Sequence, residues 1–192
     1  MPIRSPADYL AYLAADLEAH HCERWSVMEG WRNPVLGFQR LLRKAEYVTN
    51  CKRGPVGKIH LLCLKWRLRR RSFLLGFNIP VNVFGPGLCI VHWGNIIVNW
   101  QTRIGANCRI HPGVCIGELD GATPTIGDGA YFGPGAKIYG GIVLGDNVRV
   151  GANAVVNKSF PSNSTLVGVP ARAVEKAAMP IAGDPAASSH AV

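Results

Sequence analysis

The second half of this chain predicts a mainly β fold, a parallel β-helix, with a helical segment in front of it. Three observations carry that reading. A hydrophobic residue recurs at every sixth position, at Val98, Ile104, Ile110 and Ile116 and again at Ile126, Phe132, Ile138, Leu144, Val150 and Val156. Glycine follows it at Gly105, Gly117, Gly127, Gly133, Gly145 and Gly151, and a small residue stands four places after it at Cys108, Ala130, Ala136 and Ala154. The phase breaks once, between Ile116 and Ile126. Helices repeat at 3.6 and alternating strands at 2, so a period of six over about sixty residues belongs to neither. It is the signature of a coil of three short strands and three turns, about 18 residues, stacked on its neighbours roughly 4.8 Å apart. The break leaves four surplus residues within 118–125, which must leave the coil as a loop, the part of a rigid scaffold that tends to carry function.

Residues 1–77 read as helical, 78–175 as β-helix with a terminal cap at Gly168-Val169-Pro170-Ala171-Arg172, and 176–192, rich in Ala, Pro and Ser, as a disordered tail. Ser5-Pro6-Ala7-Asp8 combines an N-cap, a first-turn proline and an acid, followed by Leu10, Leu13 and Leu17. Asn33-Pro34 opens a second helix by the same chemistry, with Leu41, Leu42, Ala45 and Val48 as its stripe and Gly54-Pro55 as its stop. Ile59, Leu62, Trp66 and Phe73 mark the stripe of a third, ending near Gly76.

Composition, 48% hydrophobic and 17% charged, is that of a soluble globular protein. No apolar run reaches a membrane span, and the start carries Asp8, Asp16 and Glu18 in place of a signal-peptide core. Six cysteines without C-x-x-C spacing read as reduced thiols of a cytoplasmic protein. The net charge of +9 is concentrated: residues 40–71 hold eleven Lys/Arg against the single acid Glu46. A solvated basic face is the plain reading of that stripe. Peripheral contact with an anionic membrane through residues 40–71 is the functional one. Nucleic acid is not expected, because aromatic interleaving is thin and no recognition motif accompanies the charge.

Of the side chains that could serve as a general base, imidazole titrates in the useful range. His20, His21, His60 and His190 lie in helical or tail segments, which leaves His92 and His111. They are 19 residues apart, one coil plus one residue, which stacks them on one corner near the extruded loop. His92 also falls six before Val98, where a polar residue in the aliphatic column would need a reason. Trp93 and Asn95 beside His92, and Glu118 and Asp120 in the loop, are candidate acceptor contacts, the two carboxylates also being able to orient an imidazole. Two histidines in the repeats are too few for a zinc lyase of β-helical type, which needs three, so no metal is expected.

Phe132-Gly133-Pro134-Gly135-Ala136-Lys137-Ile138, Gly151-Ala152-Asn153-Ala154-Val155-Val156 and Gly168-Val169-Pro170-Ala171-Arg172 resemble the hexapeptide-repeat acyltransferases, most of all the serine acetyltransferase branch. The resemblance implies left-handed coiling, a homotrimer or a multiple of three with sites between chains, and acetyl-CoA as donor. It places the base at His92, donor contacts at Gly133, Pro134, Ala152 and Asn157, and phosphate partners at Lys158 and Arg172; His111, set beside His92 by the 19-residue spacing, is a second catalytic candidate. The chain departs from that branch at Val91, Phe77, Ala122 and Thr123, where the branch carries two acids and an arginine-histidine pair. The expected activity is therefore acetyl-CoA-dependent O-acetyl transfer to a small acceptor, a sugar or polysaccharide precursor, with serine as the alternative and a non-catalytic scaffold as a second alternative.

Overall fold

The computed structural model describes residues 2–52 and 54–174, so the predicted tail lies outside the described residues. Four helices come first: α1 (Pro6–Ala19), α2 (Val27–Arg32), α3 (Pro34–Cys51) and α4 (Pro55–Leu75). Ser5 Oγ accepts from Asp8 N at 3.0 Å and Asn33 Oδ1 from Leu36 N at 3.0 Å, so both N-caps are as the sequence predicts. The short α2, capped by Ser26, was not predicted; at six residues it offers no period to read. Gly54-Pro55 ends one helix and starts the next, Gly54 serving as the N-cap residue of α4.

Two helix stripes differ from expectation. On α1 the buried side chains are Tyr12, Leu13 and Asp16, while Leu10 is exposed. On α4 the inward residues are Leu64 and Leu68, backed by Leu61 and Leu75. The predicted stripe of Ile59, Leu62, Trp66 and Phe73 faces outward, because α4 is apolar on two opposite sides and periodicity alone does not say which side packs.

About five coils follow. The first holds β1 (Phe77–Asn78) and β2 (Cys89–Ile90), the second β3 (Ile96–Val98), β4 (Arg103–Ile104) and β5 (Arg109–Ile110), and the third β6 (Cys115–Gly117), β7 (Thr125–Ile126) and β8 (Tyr131–Phe132). The fourth holds β9 (Lys137–Tyr139), β10 (Val143–Leu144) and β11 (Arg149–Val150), the fifth β12 (Val155–Val156) and β13 (Thr165–Val167), and β14 (Arg172–Val174) folds back antiparallel on β13. Equivalent strands pair in parallel into three faces: β1-β3-β6-β9-β12, β4-β7-β10 and β2-β5-β8-β11-β13. The register stacks Ile90, Ile110, Phe132, Val150 and Leu166 in one column and Val98, Ile116, Ile138 and Val156 in another, all buried. One corner turns through left-handed backbone at Gly87, Asn107, Gly129, Asn147 and Asn163, with φ between +56° and +77°, which only glycine and asparagine adopt readily.

The column corrects the phase assigned to His92. Ile90 pairs with Ile110, so the inward residue is Ile90, and His92 stands two places later on an exposed corner. Ile96 and Val98 are both buried in β3, and Ile90 to Val98 spans eight residues where Ile110 to Ile116 and Phe132 to Ile138 span six, so two extra residues in this turn carry His92 out of phase.

Arg43 fastens helices to coils. Counted in the sequence with the basic stripe, it is 0% exposed and spends its five N–H donors on five acceptors. Nε and Nη2 reach the Asp16 carboxylate at 2.9 and 3.2 Å, Nη1 reaches Glu46 at 3.0 Å and Phe84 O at 2.9 Å, and Nη2 reaches Gly85 O at 2.6 Å. Asp16 in turn accepts from Gly87 N and Leu88 N, and Glu46 from Asn82 N. The backbone of the first coil thus finds, in two helices, the partners that another coil would have supplied.

Candidate active site

Each passage from a β2-type strand to a β3-type strand turns the same corner, and these corners stack. Gly113 N donates to Asn95 O at 2.6 Å, Gly135 N to Pro112 O at 2.9 Å and Asn153 N to Pro134 O at 2.9 Å. One edge of the coil stack therefore carries His92, Trp93 and Asn95, then His111, then Gly133 and Pro134, then Ala152. His92, Trp93, Asn95, Pro134 and Ala152 are exposed.

His111 is the half-buried member of the pair. Its ring lies 5.2 Å from that of Tyr131, over which the Arg149 guanidinium sits at 4.6 Å. Burial, then Arg109 and then His92, hold its imidazole below the ordinary histidine value, which favours the neutral ring. Its Nε2 is buried without a hydrogen-bond partner among the described residues, a free polar atom of the kind that calls for a ligand or a water. That His92 acts on His111 electrostatically puts the two rings in one neighbourhood, as the 19-residue spacing predicts.

The remaining predicted residues lie elsewhere. Glu118 and Asp120 occupy the loop at the next edge, across the face of β3, β6 and β9, three residues or about 10 Å wide. Glu118 Oε1 accepts from Gly121 N at 2.9 Å and Leu119 pairs with Ala122, so the loop is tied to itself and not to the histidine corner of its own chain. Asn157 and Lys158 follow β12 toward that same loop edge, and both are exposed. Arg172, also exposed, pairs with Val167 at the end of the last coil. Gly133 has a structural reason for being glycine: a Cβ there would lie 2.8 Å from Ala152 N of the next coil.

Sequence reasoning left two residues aside. Lys137 projects from β9, and its ammonium bonds to Gly113 O on the histidine corner. Cys115, half-buried, is the register partner of Lys137 on the same face. Strand alternation assigns both an outward direction, which was the available signal. His20, set aside in the sequence for lying in a helical segment, is half-buried, and its Nε2 lies 2.7 Å from Gln39 Oε1.

Residues 123–158 match the bacterial transferase hexapeptide (six repeats) family. The chain is 39% identical over 109 residues to a serine acetyltransferase of Helicobacter pylori, covering 54% of this chain and 64% of that one. It is 38% identical over 109 residues to a serine acetyltransferase of Staphylococcus xylosus, covering 54% of this chain and 50% of that one. The chain thus spans less than two thirds of the length of these curated relatives. Its fold is similar to that of soybean serine acetyltransferase complexed with serine, with a TM-score of 0.71, 29% identity, and coverage of 88% of this chain and 70% of that one.

Proposed function

We propose that this chain, a hexapeptide-repeat protein similar along its coils to serine acetyltransferases, transfers the acetyl group of acetyl-CoA to the hydroxyl of a small acceptor, and that the acceptor is serine. The observation that carries this reading is the single edge on which an exposed His92, a neutral His111 with an unpartnered Nε2, and the exposed Pro134 and Ala152 succeed one another. His92 takes the hydroxyl proton as the oxygen attacks the thioester carbonyl. The C–S bond then breaks, and the imidazolium returns the proton to the departing thiolate. His111 Nε2 meets the acceptor or the first imidazole. Pantetheine lies along Gly133, Pro134 and Ala152, with Asn157 flanking it and Lys158 and Arg172 meeting its phosphates.

Serine is favoured over the sugar acceptor that the sequence alone suggests, because the chain is similar to serine acetyltransferases both in sequence and in fold. The residues allow it. Lys137, a cation at the histidine corner, is a partner for the α-carboxylate that Ala122 and Thr123 cannot supply. Glu118 and Asp120 are partners for the α-ammonium if a neighbouring chain sets its loop edge against this corner, which is the reason for assigning a homotrimer. The exposed Trp93 is what a sugar would use, and it keeps that acceptor as a second reading.

Steady-state acetylation of L-serine against hexose and aminosugar derivatives tests the assignment. Serine at kcat/KM of about 10⁴ M⁻¹s⁻¹ or more and a three-chain mass in sedimentation are expected. A sugar with the higher kcat/KM overturns the acceptor and leaves the donor standing; absence of CoA binding overturns the enzyme reading itself.

A further inference from the structure

The outward face of α4 is apolar where solvent should favour polar residues. Ile59, Leu62, Trp66 and Phe73 follow at i, i+3, i+7 and i+14, one line along the helix, and are 66%, 70%, 61% and 85% exposed. At 100° per residue, Lys58, Lys65 and Arg69 border this line on one side and Arg67 and Arg70 on the other, all five exposed. The opposite side, Leu64 and Leu68, is the one that packs on the protein. From Ile59 to Phe73 this ridge runs about 21 Å along the helix. A solvated basic face, the plain reading of the charge run, would not carry a line of four large exposed apolar side chains between its cations.

Charge decides what covers the ridge. No acidic residue occurs between Glu46 and Glu118, and Glu46 itself is buried on Arg43. A second copy docking ridge to ridge would set these lysines and arginines against their own kind with no counter-ion from either helix. A lipid surface bearing anionic headgroups meets both requirements: acyl chains for the ridge and phosphates for its borders. No helix among the described residues is long and apolar enough to cross a membrane, so such contact lies in the plane of the interface.

We infer that α4 docks this protein on an anionic membrane surface, with Ile59, Leu62, Trp66 and Phe73 inserted among the headgroups and Lys58, Lys65, Arg67, Arg69 and Arg70 on lipid phosphates. The inference is independent of the acetyl-transfer reading.

The full chain is sedimented with vesicles of phosphatidylcholine alone and of phosphatidylcholine mixed with phosphatidylglycerol. Binding to the mixed vesicles only, weakened by raised salt, is expected. Trp66→Ser with Phe73→Ser should weaken it at least about tenfold, since two large apolar side chains leave the lipid. Arg69→Glu with Arg70→Glu should weaken it by more than about fivefold for each cation removed. Both pairs are exposed, so circular dichroism and mass in solution should match the parent. Equal binding to both vesicle types, or none to either, overturns the inference. So does a ridge variant that keeps its vesicle binding but loses mass, which would give the ridge to a second copy.

Discussion

Replacing Arg43 by methionine tests whether the helices are fastened to the coils by one buried cation. The substitution keeps length and apolar volume but removes all five hydrogen bonds and both ion pairs. Asp16 and Glu46, 2% and 1% exposed, then face each other with backbone donors from Gly87, Leu88 and Asn82 but no counter-charge. Breaking a buried pair from one side costs about 3–5 kcal/mol. At about 2–4 °C per kcal/mol for a chain of this size, the melting temperature should fall by roughly 6–20 °C. Thermal and urea unfolding followed by circular dichroism measure this. Burial already holds the Glu46 carboxyl above the usual carboxylate range, so protonation of the stranded acids should shrink the deficit at low pH. Adding Asp16→Leu and Glu46→Gln should recover part of the loss, because no unpaired charge then remains. A deficit under about 1 kcal/mol, or one that grows as pH falls, would refute the argument, since the stranded-carboxylate cost is what sets both size and sign.

Three further outcomes follow from the same geometry. His92→Ala should lower turnover about 100-fold or more with CoA affinity nearly unchanged, and His111→Ala should cost less; the reverse ranking in a turnover and CoA-titration pair moves the base one coil down. Burial holds His20 below the ordinary histidine value against a hydrogen bond to Gln39 that raises it, so the unfolded chain binds its proton more tightly. Its share of stability is complete above about pH 6.5 and is lost as pH falls from there through the lower folded-state value; urea midpoints at pH 7.5 and 5.5 should differ less in His20→Gln than in the parent. Asn147→Val should destabilise by about 1–2 kcal/mol while Asn147→Gly should not, because a β-branched residue is strained at φ +56°; equal urea midpoints for the two would contradict the strain.

The repeat was legible because every coil restates it: a misread position in one coil is corrected by four others, and the columns through Ile110, Phe132 and Val150 are as the period requires. Information failed where it was stated once. Counting back six from Val98 reached His92, but the turn between Ile90 and Val98 has two additional residues, and nothing before it in the sequence repeats to reveal them. The histidine pair was found even so, because its 19-residue spacing tests adjacency of corners and not depth in the core. Arg43 was hidden for a different reason: its partner Asp16 lies 27 residues away, so the pair leaves no local pattern. On α4, periodicity found a stripe and took it for the packed one, since a helix apolar on two sides gives the same signal from either.

The two ends of the coil stack are closed differently, and between them every layer offers the same backbone interface to the next. Asp16, Gln39 and Arg43 occupy the polar groups of Gly85, Gly87, Leu88 and Ile90 at one end, and β14 crosses β13 antiparallel at the other. An uncapped coil is a cross-β template, open to any identical coil from another molecule. The caps therefore act as chain terminators for a polymer that the repeat would otherwise grow. Their presence frees the interior: a lineage of such proteins can gain or lose whole layers of about 18 residues without disturbing register. Losing Asp16 or Arg43, by contrast, would unblock the end from which fibres start.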